Sequence, residues 1–357
     1  MSANPTIMMM AGGTGGHIFP ALAVAAVLEA RGWKIVWLGS PSGMEARLVP
    51  QHGYTMAWVS MSGVRGKGLL RAAMLPLHLL IAFWQAADGI LAHRPQVVLG
   101  MGGYISFPGG MMAALFNTPL VIHEQNSVAG LANRVLAKLA DRVLAGFPAA
   151  FADGRGVWTG NPVRADIAAL PEPAQRYAGR SGPLRLTVIG GSLGAQALNS
   201  TVPQALALIP PGARPQVTHQ SGERHLAAVE QQYREAGVEA TLLPFIDNMA
   251  AQYGEADLVI CRAGASTIAE LAAAGVASVL VPFPHAVDDH QTHNARFLAE
   301  RGAAVLIPQH ELTAQKLAEF LQTINRDGLL EMANKARSVA KPDATQTVAE
   351  ECMRLAA

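Results

Sequence analysis

The fold of this 357-residue chain is decided near its start, where GGTGGH (Gly12–His17) follows the apolar run Ile7–Ala11. An apolar run, a glycine cluster and a helical pattern, in that order, predict a buried strand, a tight turn and a helix. Two further segments repeat this order: Val97–Leu99 before GMGGYISFPGG (Gly100–Gly110), and Leu186–Ile189 before GGSLGAQ (Gly190–Gln196). Short apolar strands that alternate with helices indicate parallel sheets covered on both faces.

The remaining strand signals extend this pattern along the chain. They are Lys34–Leu38, Leu120–His123, Arg142–Ala145, Glu239–Leu243, Asp257–Cys261 and Ser278–Pro282. Between Asn161 and Pro183 prolines and polar residues interrupt the pattern, which predicts a connection between domains. We therefore expect an α/β protein with two doubly wound domains that are joined by this connection. Ligands are expected beyond the carboxyl ends of the strands, in a cleft between the domains.

Composition and charge narrow the class of protein. Half of the residues are hydrophobic and 15% are charged, which favours a large buried core. Two distant cysteines, Cys261 and Cys352, and a first apolar run too short for a signal peptide predict a cytoplasmic chain. A net charge of +1 argues against nucleic acid as a partner. Residues 1–160 nevertheless carry 11 Lys/Arg against 6 Asp/Glu, which suits an anionic surface or substrate.

The first glycine loop does not match the common nucleotide motifs. No Gly-Lys-Ser/Thr follows it, so it is not a P-loop. Ile18 stands where a dinucleotide fingerprint has its third glycine, and the second strand ends at Leu38-Gly39-Ser40 without a ribose-binding carboxylate. A plain tight turn is the alternative. Three glycine loops at corresponding places favour phosphate or sugar binding over that alternative.

A second candidate site is the stretch CRAGASTIAE (Cys261–Glu270). A strand ending at Cys261 and a helix starting after it would present the backbone N–H groups of Gly264–Thr267 to a diphosphate. Glu270 could chelate the two hydroxyls of a ribose, or it could simply face the positive end of the helix dipole. Spacing alone leaves both interpretations open.

Acidic and histidine side chains follow in residues 285–293, and they raise the question of a metal. They are His285, Asp288, Asp289, His290 and His293. The pair His290 and His293 has helical i,i+3 spacing, but no distant ligand set stands out. A polar loop leading into a helix is the favoured interpretation, and no metal site is predicted.

Together these stretches resemble the MurG family of bacterial peptidoglycan glycosyltransferases. The matching stretches are GGTGGHIFPALAVA, GMGGYISFPGG, HEQNSVAGLANR (His123–Arg134), TGNPVR (Thr159–Arg164), GGSLGAQALN, CRAGASTIAELAAAG and DDHQTHNA. They span residues 12 to 295 in order, so the resemblance is specific. Leu193 and Phe107 depart from the family pattern, which puts fine loop contacts in doubt but not the reaction.

The resemblance implies a GT-B fold of two Rossmann-like domains, residues 1–162 and 163–340, whose final helix, about 341–357, packs back on the first domain. It also implies inverting transfer of N-acetylglucosamine (GlcNAc) from UDP-GlcNAc to the C4 hydroxyl of N-acetylmuramic acid (MurNAc). The acceptor is undecaprenyl-diphospho-MurNAc-pentapeptide (lipid I), and the product is lipid II of peptidoglycan synthesis. UDP-GlcNAc and undecaprenyl-linked lipid I are the expected partners, and no obligatory cofactor is expected.

The resemblance also implies site residues. Those for the donor are Thr14, Gly15, Gly16, Asn126, Arg164, Ser192, Ile246, Gly264, Ala265, Ser266, Thr267, Glu270, Gln291 and Asn294. Among them Glu270 would bind the ribose, Gly264–Thr267 the diphosphate, and the backbone of Ile246 the uracil. Those for the acceptor are Gly13, Gly102, Gly103, Tyr104, His123 and Asn133.

The chemistry needs a base for the acceptor hydroxyl and a way to stabilise departing UDP. His17 is the first candidate for the base, because histidine ordinarily titrates near neutral pH. Glu124 is the rival base, and His17 could instead only hydrogen-bond an acceptor phosphate. No Asp-x-Asp motif occurs, so helix N-termini and Arg164 are expected to meet the leaving-group charge.

A lipid acceptor requires a membrane surface, and Val64–Trp84 (VRGKGLLRAAMLPLHLLIAFW) is the candidate segment. Arg71, Pro76 and His78 interrupt it, so an interfacial segment on an anionic leaflet fits better than a span. A buried core helix is the alternative. We expect peripheral attachment to the cytoplasmic face of the bacterial inner membrane, with cell-wall and division proteins as further candidate partners.

Three rival classes remain at the level of sequence. Another GT-B enzyme, such as a lipid glucosyltransferase or a UDP-GlcNAc epimerase, would share the donor site but not both the HEQN and GMGGY loops. A nicotinamide oxidoreductase would need the missing ribose carboxylate. A non-catalytic membrane scaffold would need neither His17 nor Glu270.

Overall fold

The computed structural model describes residues 4–61, 74–191 and 194–356. The chain forms two compact units. The first unit contains Met1–Arg164 together with Lys341–Ala357, and the second contains Ala165–Ala340. Each is built around its own parallel sheet.

The first unit has a seven-stranded, all-parallel sheet in the order β3-β2-β1-β4-β5-β6-β7. Its strands are β1 Thr6–Met10, β2 Lys34–Gly39, β3 Thr55–Trp58, β4 Val97–Gly100, β5 Leu120–Glu124, β6 Arg142–Ala145 and β7 Val157–Trp158. Its helices are Gly15–Ala30, Glu45–Leu48, Leu75–His93, Ser106–Leu115, Leu131–Leu136 and Ala344–Leu355, with a 3₁₀ turn at Val49–His52.

Alternation along β1 explains why this sheet carries helices on both faces. Ile7 and Met9 join one core cluster, which also contains residues of the helices Gly15–Ala30 and Ala344–Leu355. Met8 and Met10 join the cluster on the other face, against the other helices. All five residues of β1 are buried, as the apolar run predicts.

The helix Leu75–His93 has one buried face and one exposed face. Ala82, Ala86, Gly89 and Ile90 are buried against the sheet, where small side chains allow close approach. Large apolar side chains on the other face are exposed: Leu77, Leu80, Ile81, Trp84 and Leu91. Among the described residues, this helix is long and apolar enough to cross a membrane by length and composition. The basic residues Arg65, Lys67 and Arg71 of the predicted segment lie outside the described residues.

The second unit repeats the architecture with six parallel strands in the order β10-β9-β8-β11-β12-β13. The strands are β8 Arg185–Ile189, β9 Gln216–Gln220, β10 Thr241–Leu243, β11 Leu258–Cys261, β12 Ala277–Leu280 and β13 Val305–Leu306. The helices are Ala165–Ala168, Pro173–Tyr177, Gln196–Ala207, Leu226–Ala236, Met249–Glu255, Ala265–Ala274, His290–Ala299, Ala314–Thr323 and Arg326–Ser338. Four 3₁₀ turns are Pro211–Ala213, Glu223–His225, Val287–Asp289 and Gln309–Glu311.

The predicted fold class is confirmed, and the differences lie in details. β3, β7, β9 and β13 are strands that the sequence pattern does not predict. The first helix begins at Gly15, inside the glycine stretch, and Pro20 lies within it. His17 therefore belongs to the first helical turn and not to the preceding loop.

Candidate active site

In the first unit, the predicted site residues gather at one edge of the sheet. Strands β1, β4 and β5 are neighbours, and their carboxyl ends lead to His17, to Gly102–Tyr104 and to His123–Asn126. Because parallel strands end at the same edge, residues far apart in sequence become adjacent there. This topology explains why three separate motifs can form one site.

The first glycine loop is already bonded to a carboxylate of the protein itself. Glu45 is completely buried, and its two oxygens accept hydrogen bonds from Gly13 N at 3.1 Å and Ser40 N at 2.9 Å. A Cβ on Gly12 would lie 2.5 Å from Glu45 Oε1, so any larger residue there would have to displace this carboxylate. A carboxylate thus does follow β2, six residues beyond its end, but it does not lie where a ribose would meet it. It faces the backbone and is shielded from solvent.

The second glycine loop packs directly against the first. A Cβ on Gly103 would lie 2.4 Å from the carbonyl oxygen of Gly12, and Gly103 has a φ of +83°. Both the space and the backbone angle therefore require glycine. Tyr104 lies beside Gly13, and burial, followed by the nearby Glu45 carboxylate, raises the pKa of its hydroxyl.

His17 stands at the end of a chain of hydrogen bonds that begins in the core. Its Nδ1 lies 2.8 Å from Gln125 Oε1. Gln125 Nε2 lies 3.0 Å from His123 Nδ1, and His123 Nε2 lies 2.9 Å from the carbonyl oxygen of Gly160. His17 is partly exposed, whereas Gln125 and His123 are buried. Burial lowers the pKa of His123 to about 4, so its ring is neutral at physiological pH.

Glu124 is held by four donors at the end of β5. Its Oε1 accepts from Asn126 N at 2.9 Å and from Asn126 Nδ2 at 3.2 Å. Its Oε2 accepts from Gly130 N at 3.1 Å and from Asn133 Nδ2 at 2.8 Å. With only 3% of its surface exposed, this carboxylate fixes the loop of residues 126–130. A substrate hydroxyl would have to compete with these four donors.

Two residues that the resemblance assigns to the acceptor lie below the surface. His123 is completely buried with both ring nitrogens bonded to protein groups, and Asn133 lies behind Glu124 with 3% exposure. In this arrangement neither side chain presents itself to a ligand directly. Gly13, Gly102, Gly103 and Tyr104 do lie at the sheet edge.

In the second unit, the helix Ala265–Ala274 starts directly after β11. Gly264 is its N-cap and provides no side-chain cap, so the helix begins with backbone N–H groups and a positive dipole end. Glu270, on the second turn, accepts a hydrogen bond from Tyr253 Oη at 3.0 Å. Burial, and then the charge of Glu270, raises the pKa of the Cys261 thiol, so this thiol stays protonated.

Gln291 and Asn294 hold the turn that precedes this helix. Gln291 Oε1 accepts from Phe283 N at 2.9 Å and from Ala263 N at 3.3 Å. Because the oxygen of the Gln291 amide faces two N–H donors, its nitrogen points away from the backbone of Ala263 and Phe283 and can donate to another group. Asn294 is completely buried and donates to the carbonyl oxygen of Ala263 at 3.2 Å.

The helix that carries Gln291 follows a strained turn. Asp288 has a φ of +51° and Asp289 a φ of +49°, and such left-handed conformations are uncommon for residues other than glycine. Asp289 Oδ1 accepts a hydrogen bond from Thr292 Oγ1 at 2.7 Å. Among the described residues, no group of three or more His, Cys, Asp and Glu could hold a metal ion.

The predicted uracil contact, Ile246, has a buried side chain, and its neighbour Phe245 is 57% exposed. An exposed aromatic ring beside a predicted base site can stack on that base. Of the other predicted donor residues, Thr14–Gly16 belong to the first helix and its cap, and Arg164 ends the first unit half-buried. Ser192 lies outside the described residues.

Glu45, Gln125 and Tyr253 are site residues that sequence analysis did not identify. Glu45 lies six residues beyond the end of β2, outside the spacing of known motifs. Gln125 belongs to the HEQN stretch, so its place in that motif was an available signal. Tyr253 comes from the neighbouring helix Met249–Glu255, and nothing in the local sequence indicates its contact with Glu270.

Comparison with known proteins gives a consistent result along the whole chain. Residues 7–145 match the glycosyltransferase family 28 N-terminal domain, and residues 185–348 match the C-terminal domain. The chain is 64% identical, over 99% of its length and 98% of the relative's, to a protein of Aromatoleum aromaticum. That protein is named UDP-N-acetylglucosamine–N-acetylmuramyl-(pentapeptide) pyrophosphoryl-undecaprenol N-acetylglucosamine transferase. A protein of Dechloromonas aromatica with the same name is 62% identical over 99% of each chain.

Solved structures show the same relationship. The crystal structure of Acinetobacter baumannii MurG has a TM-score of 0.86 and 41% identity, with 98% of this chain and 99% of that chain covered. A UDP-GlcNAc 2-epimerase from Neisseria meningitidis bound to UDP-GlcNAc has a TM-score of 0.67 but only 12% identity, covering 98% and 100% of the two chains. At that identity the likeness extends to the fold alone.

Proposed function

The chain belongs to glycosyltransferase family 28 and, within it, to the UDP-N-acetylglucosamine–N-acetylmuramyl-(pentapeptide) pyrophosphoryl-undecaprenol N-acetylglucosamine transferases, and from this membership we propose its reaction. It transfers GlcNAc from UDP-GlcNAc to the C4 hydroxyl of MurNAc in undecaprenyl-diphospho-MurNAc-pentapeptide, with inversion at the anomeric carbon. The observation that carries this proposal is the high identity, over nearly the whole chain, to enzymes named for this transfer. The rival epimerase activity has only fold-level support.

The second unit binds the donor in this proposal. Glu270, held through one oxygen by Tyr253, binds the ribose hydroxyls, and the start of the helix Ala265–Ala274 binds the diphosphate. The residues predicted for the diphosphate are Gly264, Ala265, Ser266 and Thr267. The orientation of the Gln291 amide supports its role as a hydrogen-bond donor to the sugar. Phe245 stacks on the uracil beside the backbone of Ile246.

The first unit supplies the base. His17 is partly exposed at the carboxyl edge of the sheet, and imidazole is suited to accept a proton near neutral pH. His17 takes the proton of the acceptor's C4 hydroxyl group. The C4 oxygen then bonds to the anomeric carbon of GlcNAc while the bond between that carbon and UDP breaks. The four hydrogen bonds to Glu124 favour a structural role for that carboxylate over the role of base.

The charge on departing UDP needs compensation. The dipole of the helix Ala265–Ala274 and the guanidinium of Arg164 provide it in this proposal. The sequence has no Asp-x-Asp motif for a metal-bound diphosphate, and we propose that no divalent metal is obligatory. Activity measured with and without EDTA tests this point, and loss of turnover that Mg²⁺ or Mn²⁺ restores would contradict it.

We propose peripheral attachment at the cytoplasmic face of the inner membrane, through the exposed face of the helix Leu75–His93. Leu80 is 66% exposed and Trp84 69%, while the opposite face packs on the sheet of the same unit. A helix buried on one side by protein and apolar on the other fits the boundary between water and lipid better than a span. The basic residues Arg65, Lys67 and Arg71 precede it in sequence and suit anionic lipid headgroups.

Flotation with anionic liposomes tests the attachment. The variant Leu80→Glu/Trp84→Glu and the variant with Arg65, Lys67 and Arg71 all changed to Ala should both float less than the native chain. Leu208→Glu is the matched control, because Leu208 is 50% exposed but belongs to the second unit. Undiminished flotation of both variants would exclude this membrane surface.

The reaction itself is tested by UDP release from UDP-GlcNAc with and without a lipid I analogue. We expect UDP release that depends on the analogue, together with a disaccharide product. UDP release without an acceptor, accompanied by epimerised sugar, would favour the epimerase. No consumption of UDP-GlcNAc under any condition would favour a non-catalytic scaffold.

A further inference from the structure

We propose that His123 and Gln125 are positioning residues that set the tautomer of His17, so that its Nδ1 carries the proton and its Nε2 carries the reactive lone pair. The inference rests on the proposed function, because it assigns the nitrogen through which His17 acts as base. It depends on the chemistry of one hydrogen-bond chain, in which two backbone carbonyl groups fix the donor and acceptor roles of His123 and Gln125.

The first fixed point is the carbonyl oxygen of Gly160, 2.9 Å from His123 Nε2. A carbonyl oxygen can only accept a hydrogen bond, so His123 Nε2 must carry a hydrogen. His123 is fully buried, and burial keeps its ring neutral by lowering its pKa to about 4. A neutral ring carries one N–H, so His123 Nδ1 must be an acceptor.

The second fixed point is the carbonyl oxygen of His123 itself. Gln125 Nε2 lies 3.1 Å from this oxygen and 3.0 Å from His123 Nδ1. Both partners are acceptors, so the amide nitrogen of Gln125 must be the group that faces them. A flipped amide would place its oxygen against two acceptors and lose both bonds. The oxygen of Gln125 is thereby directed towards His17.

The consequence for His17 follows directly. Gln125 Oε1 is an acceptor at 2.8 Å from His17 Nδ1, so this nitrogen must donate. The neutral ring then has its lone pair at Nε2, which takes the proton from the C4 hydroxyl as the oxygen bonds to the anomeric carbon. The Nδ1–H bond to Gln125 is kept when the ring becomes positively charged. Because Gln125 is neutral, it orients the ring without adding a negative charge.

Two neighbouring motifs hold this chain in place. Asn161 Nδ2 donates to the backbone oxygen of Gln125 at 2.9 Å, next to the Gly160 carbonyl that fixes His123. On the other side, a Cβ on Gly102 would lie 2.8 Å from His17 Nδ1 and 3.2 Å from Gln125 Oε1. The glycine thus lets the loop after β4 cover the bond. This assigns a role to the Thr159–Asn161 part of TGNPVR.

The test reads the tautomer directly. In the native chain labelled with ¹⁵N-histidine, the His17 resonances, identified by their loss in His17→Ala, should show a protonated Nδ1 and an unprotonated Nε2 near pH 8. In Gln125→Met, which keeps the length of the side chain but removes its hydrogen bonds, the signals should move towards a mixture of tautomers. We expect kcat to fall roughly 10- to 100-fold, as for other partners that orient a functional histidine, with the KM for UDP-GlcNAc unchanged.

The matched control is Gln96→Met. Gln96 also bonds to backbone, through Thr6 N, but it precedes β4 at the opposite edge of the same sheet. It should leave both the His17 tautomer and kcat unchanged. A native His17 with its proton on Nε2, or an unchanged tautomer in Gln125→Met, would overturn the inference. The spectrum of the native chain shows which nitrogen of His17 carries the proton, so it tests the inference even if Gln125→Met fails to fold. If UDP release does not depend on the lipid I analogue, the proposed function is wrong. The tautomer of His17 is read from the spectrum and does not depend on that result.

Discussion

The first six strands have the same order in the two sheets. Each sheet contains a buried histidine, but the two histidines are bonded to different kinds of partner. In the first unit His123 is connected through Gln125 to the partly exposed His17. In the second unit His219 is bonded to Asn199 at 3.1 Å and to Tyr233 at 2.9 Å, both within the core. The same kind of buried histidine is connected to a partly exposed imidazole in one unit and only to core side chains in the other.

The groups presented at the two edges differ accordingly. The first edge presents an imidazole, which can take a proton, and the second presents Glu270 and the start of a helix, which can bind hydroxyl and phosphate groups. The comparison therefore predicts that changes at the first edge slow turnover, and that changes at the second weaken donor binding. Three measurements test this division, and a fourth tests the comparison of the two buried histidines.

His17→Ala should have the largest effect. Loss of the base should lower kcat roughly 10²- to 10⁴-fold and leave the Kd for UDP-GlcNAc nearly unchanged. Steady-state kinetics and calorimetric titration with UDP-GlcNAc measure the two quantities. His310→Ala, a change at a well-exposed histidine of the second unit, serves as the control. A kcat close to that of the native chain would show that His17 is not the base.

The two buried histidines should make stability depend on pH. Burial lowers the pKa of both His123 and His219 to about 4, below the value of about 6.5 in an unfolded chain. Between these values the unfolded chain binds more protons, so the free energy of unfolding falls as the pH drops from about 6.5 to about 4. For each histidine the free energy of unfolding falls by up to about 3 kcal/mol over this range, and none of this loss is present above pH 6.5.

His219→Gln separates the two contributions. All five tryptophans lie within residues 1–164, so fluorescence follows the first unit, while circular dichroism follows both. In urea titrations between pH 4 and 7, the variant should lose the pH dependence of the second unit and keep that of the fluorescence signal. A variant whose pH dependence equals that of the native chain by both probes would contradict the assignment to His219.

Glu270→Gln should affect binding and leave chemistry nearly unchanged. Hydrogen bonds to a charged group are worth about 1.5–3 kcal/mol, so the Kd for UDP should rise roughly 10- to 150-fold. Calorimetric titration with UDP checks this, with the exposed Glu230→Gln as the control in the same unit. A drop in kcat with unchanged Kd would reverse the proposed division between the edges.

Tyr253→Phe should have the smallest effect. It removes a donor that orients Glu270 but does not itself meet the ligand, so we expect binding to lose only about 0.5–1.5 kcal/mol and the Kd for UDP to rise roughly 2- to 12-fold. Tyr177→Phe is the comparison, because the Tyr177 hydroxyl is bonded to the backbone oxygen of Asp257 and not to Glu270. That change should lower stability without altering the Kd. Equal effects of both changes on UDP binding would show that the Tyr253 hydroxyl acts only through stability.

Sequence pattern predicts the architecture well because the central strands are apolar runs followed by glycines. It fails for β9, whose sequence QVTHQ is polar although His219 and Gln220 are buried. Their polar atoms are bonded to Asn199, Tyr233, Gly191 and Pro244, partners that no local pattern indicates. The other strands missed, β3, β7 and β13, lie at sheet edges, and two of them have only two residues.

At the candidate site, motif position predicts which residues gather but not which of them face a ligand. His123 and Asn133 belong to the right motif, yet they are buried and bond other side chains. Which residues of a polar motif turn inward depends on partners far along the chain, such as Gly160 for His123. Glu45 shows the same limit, since only the folded chain brings its carboxylate to the first glycine loop.

The buried carboxylate of Glu45 competes with any phosphate for the N–H group of Gly13. A phosphate that approached the N–H of Gly13 would have to displace Glu45, an anion of the same chain that is held there at an effective concentration of about millimolar or more. Removing Glu45 from its backbone donors would leave a desolvated charge, and the incoming anion would meet like-charge repulsion. The same carboxylate would exclude the diphosphate of the acceptor from Gly13, so the acceptor contact predicted for Gly13 fits the sugar of the acceptor better than its phosphates. A residue that need not touch either substrate can in this way influence which ligand group the first glycine loop admits.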